Sequence, residues 1–425
     1  MNGFGLSRGR FALLFSVMLV AAAGNTAMQS LLPAIGRELE VADIWVAVAF
    51  SLSAVLWVVM APVWARRADR RGRRALMRLG LYGFIVSMLI CGVALAAGLA
   101  GYAGGMLVFT IFMLGRTVYG AFGSAAPPAV QAYIAARTEG EERTNAIAAL
   151  SSSFGLGTVI GPAIAPLFIF PPLGLASPLI AFAGIGAIVL ALLVLRLPDD
   201  TPKRAARGAI AAYPVLGSGS APLAAEDPES AAPPLRWRDE RVLPWHLIGI
   251  VGGHGHAIIL GVIGFMIIDR LSLPLDQSQH WIAVVLMAGA ASTLLAQWWL
   301  IPQMALSPRE LVLWGALVAA AGAVVIGLAG DAYGLTLGFV LTSLGFGLFR
   351  PGFTSGASLA VGQDEQNAVA GQVTSVNGIA FVAGPALGVA LYMAGLELPF
   401  FATGALMLAL AVWTWLGFSP SAPSA

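Results

Sequence analysis

The strongest constraint on the fold is a series of long apolar segments that recurs along nearly the whole chain. A helix needs about 20 mostly apolar residues to cross a bilayer. Twelve segments near that length cover residues 11–33, 44–64, 75–98, 104–127, 145–170, 177–196, 244–268, 280–301, 310–330, 335–358, 368–392 and 397–417. Only 10% of the residues are charged, against about 25% in soluble domains. The pattern predicts an all-α membrane protein with twelve transmembrane helices.

The basic residues predict how these helices are oriented. Nearly all of the 23 lysines and arginines lie in loops or ends on one side of the predicted arrangement, whereas the opposite loops hold only Arg37 and Arg270. Positively charged loops remain in the cytoplasm. We therefore predict a multi-pass protein of a bacterial-type inner membrane, in contact with membrane lipid, with both termini in the cytoplasm.

The apolar pattern is interrupted once, by a stretch rich in proline, alanine, serine and charged residues, which is linker composition. The predicted domains are an N-terminal six-helix bundle (1–196), a cytoplasmic linker (197–243), a C-terminal six-helix bundle (244–417) and a cytoplasmic tail (418–425). Two short matches relate the bundles: Asn-Ala-Ile-Ala at 145–148 recurs as Asn-Ala-Val-Ala at 367–370, and Gly-Pro-Ala at 161–163 recurs at 384–386. Such ordered repetition indicates a duplication, and hence two pseudo-symmetric bundles.

The segment between the second and third spans is unusually basic. Six of the ten residues from Ala65 to Arg74 are arginine, so we predict a loop outside the bilayer core. Its pattern Asp-Arg-x-Gly-Arg-Arg resembles the loop signature between the second and third helices of the major facilitator superfamily, with Ala65 where that family usually has glycine. The resemblance implies the major facilitator fold and a gate on the cytoplasmic side, with the acid near the amino end of the eleventh helix. The gating residues would be Asp69, Arg70, Gly72, Arg73 and Arg74.

The fifth span contains the pattern Gly157-x-x-x-Gly161-Pro162, and Gly384-Pro385 is its counterpart in the second half. Glycines allow helices to approach closely, and proline kinks a helix. The pattern resembles the motif of the superfamily's drug:proton antiporters, of which the tetracycline-exporter-like branch is the most similar. The alternative is ordinary helix packing. We expect Gly157 and Gly161 to contact the second half, at the Gly384-Pro385 segment.

One arginine lies deep within the fourth span. Arg116 is too far from either headgroup layer for its side chain to reach it, and an intramembrane charge is a functional candidate by default. Arg116-x-x-Tyr119 resembles the superfamily's fourth-helix motif, with tyrosine where glutamine is usual. The resemblance implies an arginine that faces a central cavity and takes part in proton coupling. The alternative is a structural arginine that caps carbonyls at a helix break.

Other polar residues within spans are candidates for substrate or proton binding. Arg350 precedes a proline in the tenth span, and could contact substrate or satisfy carbonyls that the proline frees. His254 and His256 point to roughly opposite faces of the seventh span, so one could face a cavity while the other packs between helices. The remaining candidates are Asn25, Gln29 and Asn377.

The acidic residues all fall in loops or at span ends. Arginines within the membrane and without a resident carboxylate favour an anionic or zwitterionic substrate, because a buried charge needs a partner. The resemblance to the major facilitator superfamily and its drug:proton antiporters implies a proton-coupled secondary transporter that exports a small organic drug or metabolite. Symport of an organic anion into the cell is the main alternative, and a non-transporting membrane sensor is a third.

Several functions are not expected. The sequence contains no phosphate-binding loop, Cys/His cluster or nucleophile elbow, so we predict no enzyme activity, metal or cofactor. The expected partners are protons and a small-molecule substrate, without nucleic acid. The proton motive force would supply the energy, and we expect a monomer.

Overall fold

The computed structural model describes residues 7–135, 137, 140–198, 235–304, 306–362 and 365–417. Most of these residues are helical. The helices are α1 Arg8–Glu38, α2 Asp43–Arg71, α3 Arg73–Leu99, α4 Gly105–Val118, α5 Ala126–Ala135, α6 Gly140–Ile164, α7 Ser177–Arg196, α8 Leu243–Leu271, α9 Leu275–Leu295, α10 Ile301–Met304, α11 Pro308–Leu328, α12 Ala332–Leu359, α13 Gln366–Ala394 and α14 Leu398–Gly417. Two π-helical turns, Tyr119–Gly123 and Ala296–Leu300, follow α4 and α9, and a 3₁₀ turn, Ala165–Phe168, follows α6.

The helices coincide with the predicted spans. Within the described part of the chain, eleven helical stretches are long and apolar enough to cross a membrane, and a shorter apolar stretch, Ser153–Phe168, lies within the fifth predicted span, 145–170. The fourth predicted span corresponds to α4, its π turn and α5, which together give one apolar stretch, Gly105–Ile134. The prediction of an all-α membrane protein is confirmed.

The arginine-rich segment differs from its prediction. Instead of a loop from Ala65 to Arg74, α2 continues to Arg71 and α3 begins at Arg73. Gly72 alone interrupts the helices, with a φ of 82° in the region that glycine adopts without a steric penalty. Arginine is a good helix former, so both helices extend through the basic segment, and one glycine makes the turn.

The chain divides into two compact units. Unit 1 contains α1, α3–α7 and most of α2, and unit 2 contains α8–α14 together with Val46–Ser51 of α2. In unit 1, α1 packs against α6, and α3 packs against α4 and α7. In unit 2, α8 packs against α13, while α12 packs against α9 and α11. The domain boundaries given above remain predictions, because residues 199–234 of the linker and all of the tail lie outside the described residues.

Candidate functional site

Arg116 is held by side chains from two helices of unit 1. It lies near the end of α4 and is completely buried. Its Nη2 donates a hydrogen bond to Oδ1 of Asn25 in α1 over 2.6 Å. The guanidinium carbon lies 5.1 Å from the centroid of the Tyr119 ring, within the range of a cation–π interaction. We refer to Arg116, Asn25 and Tyr119 as the Arg116 site.

The register of α4 against α1 explains this geometry. The Tyr119 hydroxyl donates to the carbonyl of Ala21 over 2.9 Å, one helical turn before Asn25. Residues three and four apart share a face of a helix, so Arg116 and Tyr119 on one helix match Ala21 and Asn25 on the other. Tyr119 also begins the π turn, a distortion that is frequent at functional sites.

Aromatic side chains surround the tyrosine of the Arg116 site. The rings of Trp57 in α2 and Phe84 in α3 lie 5.4 Å and 6.0 Å from the Tyr119 ring, centroid to centroid. All three side chains are fully or almost fully buried. Four helices of unit 1 therefore contribute to the surroundings of a single intramembrane cation.

The structure adds a partner for Arg116 that sequence reasoning missed. Asn25 was predicted only as a further polar residue, yet its amide oxygen accepts a hydrogen bond from the guanidinium. A neutral amide lowers the cost of burying the cation but does not cancel its charge. Gln29 lies one turn beyond Asn25 in α1 and is partly buried, so the polar face that begins at Asn25 continues along this helix.

Three candidates that were named separately converge in unit 2. His256 of α8, Arg350 of α12 and Asn377 of α13 line one small pocket, with a cavity volume of about 20 Å³. We call this cavity the unit 2 pocket. Its lining residues are Gly252, Gly253, His256, Phe346, Phe349, Arg350, Phe353, Asn377 and Phe381.

Aromatic rings form most of the wall of the unit 2 pocket. The His256 ring stacks on Phe346, with centroids 4.5 Å apart and an interplanar angle of 23°, and meets Phe381 edge-on at 6.0 Å. The series continues from Phe346 to Phe349 at 6.3 Å and from Phe349 to Phe353 at 6.0 Å. These separations are typical of favourable aromatic pairs, so the rings support one another as a continuous wall.

His254 and Asn377 each form a hydrogen bond with a backbone carbonyl of their own helix. His254 Nδ1 donates to the carbonyl of Ile250 in its own helix over 2.7 Å, and His254 is not among the residues that line the unit 2 pocket. Asn377 Nδ2 donates to the carbonyl of Val373 over 3.0 Å, which fixes the direction of its amide. The two histidines therefore have different surroundings, and His256 is the one at the pocket.

The glycines of the fifth span contact a different helix from the one predicted. A Cβ added at Gly157 would meet the carbonyl of Leu19, and one added at Gly161 would meet the carbonyl of Ala23; both carbonyls belong to α1. The close approach at these glycines is thus with α1 of the same unit. That expectation is corrected.

The counterpart segment in unit 2 behaves in the same way. A Cβ at Gly384 would meet the side chain of Ala257, and one at Gly388 would come within 2.8 Å of the carbonyl of Ile258. Ala257 and Ile258 belong to α8, so each glycine segment packs on the first helix of its own unit. Pro162 and Pro385 both lie inside helices.

Part of the basic segment lies against the end of α7. Arg74 Nη2 donates to the carbonyl of Val194 over 2.5 Å, and Val194 is in the last turn of α7. A cation at a helix C-terminus is favourable, so Arg74 stabilises the packing of α3 on α7. Arg73 is buried. The side chains of Asp69 and Arg70 lie outside what the structure describes, so the gating role of this segment remains a prediction.

An ion-pair cluster precedes α8, and sequence reasoning had not identified it. Arg241 donates to both carboxylate oxygens of Glu365, over 2.9 and 2.8 Å, and to both of Asp239, over 3.0 and 2.8 Å. These hydrogen bonds lower the pKa of both carboxyl groups. Nearby, Gln372 Nε2 donates to the carbonyl of Leu235 over 2.8 Å. The end of the predicted linker is therefore attached to the amino-terminal part of α13.

The membrane-length helices and buried polar sites define the chain as a multi-pass membrane protein. A family model described as "Major Facilitator Superfamily" matches residues 14–371. The chain belongs to this superfamily, as the motif resemblance predicted.

Curated relatives match part of the chain. The Staphyloferrin B transporter of Staphylococcus aureus (strain NCTC 8325 / PS 47) is 28% identical over 202 residues, which are 46% of this chain and 44% of the relative. Multidrug resistance protein 1 of Bacillus subtilis (strain 168) is 26% identical over 45% of this chain and 46% of the relative. The class C tetracycline resistance protein of Escherichia coli is 27% identical over 44% of each chain. The chain spans less than half the length of these relatives.

Solved structures match almost the whole fold. A bacterial homolog of the human lysosomal transporter Spinster, in an inward-facing and unoccupied conformation, has a TM-score of 0.74 at 13% identity, covering 98% of this chain and 100% of that one. The human organic anion transporter MFSD10 (TETRAN) has a TM-score of 0.63 at 18% identity, covering 96% of this chain and 100% of that one. These neighbours confirm the major facilitator fold. The family and its structural neighbours are transporters and not enzymes.

Proposed function

We propose that this protein is a proton-coupled secondary transporter that exports a small anionic or zwitterionic organic molecule. The observation that carries the proposal is the composition of the unit 2 pocket, where Arg350, His256 and Asn377 lie together. Carboxylates are absent from its nine lining residues. A substrate that enters with a negative group would gain charge-assisted hydrogen bonds from this lining.

The Arg116 site also favours a substrate that carries a negative charge. Arg116 is completely buried, and its hydrogen bond from Nη2 goes to a neutral amide oxygen. A guanidinium does not lose its proton in proteins, so Arg116 cannot itself carry the coupling proton. The role proposed for Arg116 is to provide a fixed positive charge inside unit 1. This charge would attract a substrate anion and would disfavour the binding of a proton at a neighbouring group.

The relatives and motifs support export and proton coupling. The curated relatives are named for multidrug resistance, tetracycline resistance and transport of Staphyloferrin B, which favours export of a drug or metabolite. The pattern from Gly157 to Pro162 resembles that of drug:proton antiporters, and the proton motive force would then drive transport. We place the protein in a bacterial-type inner membrane with cytoplasmic termini, as a monomer that works by alternating access.

Transport into membrane vesicles of known orientation tests this proposal. Inverted vesicles would be given labelled organic anions and zwitterions, with and without a pH gradient that is acidic inside. Accumulation that requires both the protein and the gradient is the expected result. Uptake confined to right-side-out vesicles would support symport instead, and the absence of transport in both orientations would contradict a transport function.

A further inference from the structure

We propose that Trp64 is a positioning residue of the Arg116 site, which it orients through the π turn Tyr119–Gly123 that follows α4. This inference rests on the proposed function, because that function gives the Arg116 site its role in transport. Three observations support it: a hydrogen bond from Trp64 to the π turn, the packing of α2 along the turn, and the close contact of α3 with the turn.

The hydrogen bond joins α2 to the backbone of the π turn. The indole N–H of Trp64 donates to the carbonyl of Ala121 over 2.6 Å. In a regular α-helix this carbonyl would accept from the amide of Ala125, but that amide donates to the carbonyl of Phe122 over 3.0 Å. Ser124 Oγ also donates to the Ala121 carbonyl, over 3.1 Å. Two side chains therefore hold this carbonyl where the regular helix is interrupted.

Two prolines follow the π turn and limit its backbone hydrogen bonds. Pro127 and Pro128 lie in the first turn of α5 and have no backbone N–H to donate. The carbonyls about one turn before them lose their usual donors, and the chain leaves α-helical geometry between Val118 and Ala126. The geometry of this break therefore depends on groups outside the helix, of which the Trp64 indole is one.

One face of α2 packs along the π turn. Trp57 and Trp64 are seven residues apart, so they lie on the same face of α2. The Trp57 ring lies 5.4 Å from the Tyr119 ring, and the Trp64 ring lies 6.1 Å from the Phe122 ring, centroid to centroid. These separations are typical of favourable aromatic pairs. The two tryptophans therefore contact both the residue that begins the turn and a residue near its end.

Close backbone contacts enclose the π turn. A Cβ at Gly120 would meet the carbonyl of Ser53 in α2, and a Cβ at Gly83 in α3 would come within 2.6 Å of the Phe122 side chain. The turn is thus in contact with α2 on one face and with α3 on another. Arg116 lies one helical turn before Gly120 in the same span, so the direction of its side chain depends on how the π turn is held.

The Trp64 side chain is itself held in place. It is 4% exposed, and the guanidinium carbon of Arg67 lies 5.4 Å from the centroid of its ring, within the range of a cation–π interaction. Arg67 belongs to the basic segment at the end of α2. A single buried residue therefore contacts both this basic segment and the π turn next to Arg116.

The first test measures whether Trp64 affects the interaction between Arg116 and Asn25. The double-mutant cycle of Asn25→Leu and Arg116→Met would be measured by reversible unfolding of the full-length protein, with and without Trp64→Phe. Phenylalanine keeps an aromatic ring but cannot donate to the Ala121 carbonyl. We expect the coupling between Asn25 and Arg116 to fall by about half or more. A residue that only contributes packing would lower the overall stability and leave this coupling unchanged.

A matched control and a second variant complete this test. Trp298→Phe is the control, because Trp298 lies in the π turn of unit 2 and is 58% exposed, and it should leave the coupling unchanged. Ser124→Ala removes the second side-chain donor to the Ala121 carbonyl and should reduce the coupling by a smaller amount. This second variant tests the proposal even if Trp64→Phe fails to fold.

Transport in inverted vesicles, at equal expression, provides the second test. Trp64→Phe should lower kcat/KM by about threefold to tenfold in the otherwise unmodified protein. It should lower kcat/KM by less than about twofold in Arg116→Lys, because the effect acts through the arginine. Trp298→Phe should have no effect in either background.

The outcomes separate this inference from the proposed function. An unchanged coupling between Asn25 and Arg116 in both Trp64→Phe and Ser124→Ala would overturn the positioning role. Equal losses of transport in the unmodified protein and in Arg116→Lys would overturn it as well, because Trp64 would then act independently of Arg116. A reduced coupling without transport in any vesicle would support the positioning role and contradict the proposed function.

Discussion

The hydrogen bond between Arg116 and Asn25 is open to a direct energetic test. Asn25→Leu keeps the approximate side-chain volume but removes the amide oxygen that accepts from Nη2 over 2.6 Å. Both residues are completely buried, so solvent cannot replace the lost partner as it would at a surface. The change should destabilise unit 1 and impair transport. Arg116→Met removes the other partner of the same hydrogen bond, the guanidinium donor.

The size of the effect follows from comparable interactions. Hydrogen bonds to charged groups contribute about 1.5–3 kcal/mol in soluble proteins. Interhelical hydrogen bonds inside membranes average about 0.6 kcal/mol and reach about 1.7. We therefore expect a coupling energy of about 1–2 kcal/mol between the two positions, from a double-mutant cycle on the reversible unfolding of the purified protein.

A matched cycle provides the control. Asn25→Leu combined with Arg309→Met, a change in unit 2, should be additive within about 0.5 kcal/mol. Transport at equal expression should be lost in Arg116→Ala and partly retained in Arg116→Lys, since lysine keeps the charge but not the planar fork. If the Asn25 and Arg116 substitutions were also additive, the hydrogen bond would not be the energetic link between α1 and α4.

Three further predictions concern packing, the ion-pair cluster and the gate. Gly161→Val should lower the unfolding free energy by about 1–3 kcal/mol and reduce transport, because its side chain would meet α1, whereas Gly155→Val, with open space around it, should do neither. Glu365→Gln should cost less than about 1 kcal/mol, because its partner Arg241 has a side chain that is 40% exposed. The lowered pKa of Glu365 implies that its ionised carboxylate stabilises the folded state. This stabilisation is fully present at pH values well above the ordinary carboxyl pKa, and it is lost as the pH falls through the pKa of the folded state. Unfolding free energies measured from pH 7 to pH 3 should show this loss. Asp69→Asn should lower the maximal transport rate and leave substrate affinity unchanged, as kinetics at equal expression would show.

Each of these has a result that would count against it. Equal thermal stability of the two valine variants would remove the special role of the α1–α6 contact. A pH profile of Glu365→Gln that matches the unmodified protein in acid would show that this carboxylate makes no pH-dependent contribution. Wild-type kinetics in Asp69→Asn would end the assignment of this residue to a gate.

The spans were predictable because their signal is local. Apolar length alone identifies segments such as 177–196, and the helix there begins and ends at Ser177 and Arg196. The turn at Gly72 was not predictable from charge, because arginines exclude a segment from the bilayer without excluding it from a helix. The π turn at Tyr119–Gly123 has no sequence signature that we recognise.

The partners of the functional residues were the part that sequence could not supply. A charge at Arg116 or Arg350 is conspicuous in an apolar span, so the sequence alone identifies both as candidates. Their neighbours come from helices far away in the sequence: Asn25 is separated from Arg116 by 91 positions. The Gly157-x-x-x-Gly161 pattern predicts a close helix contact, and the structure shows one, but with α1 instead of the helix that we expected. The spacing of the glycines identifies which face of the helix makes the contact and does not identify the helix that lies against it.

The direction of substrate-coupled proton movement tests the central claim most directly. Purified protein would be reconstituted in liposomes that contain a pH-sensitive dye, and an organic anion that the vesicle assay identifies would be added outside, with protein-free liposomes as the control. Antiport moves protons out as substrate moves in, whichever way the protein is inserted. The account predicts that the liposome interior becomes more alkaline when substrate enters; acidification, or substrate entry without any protein-dependent pH change, would contradict it.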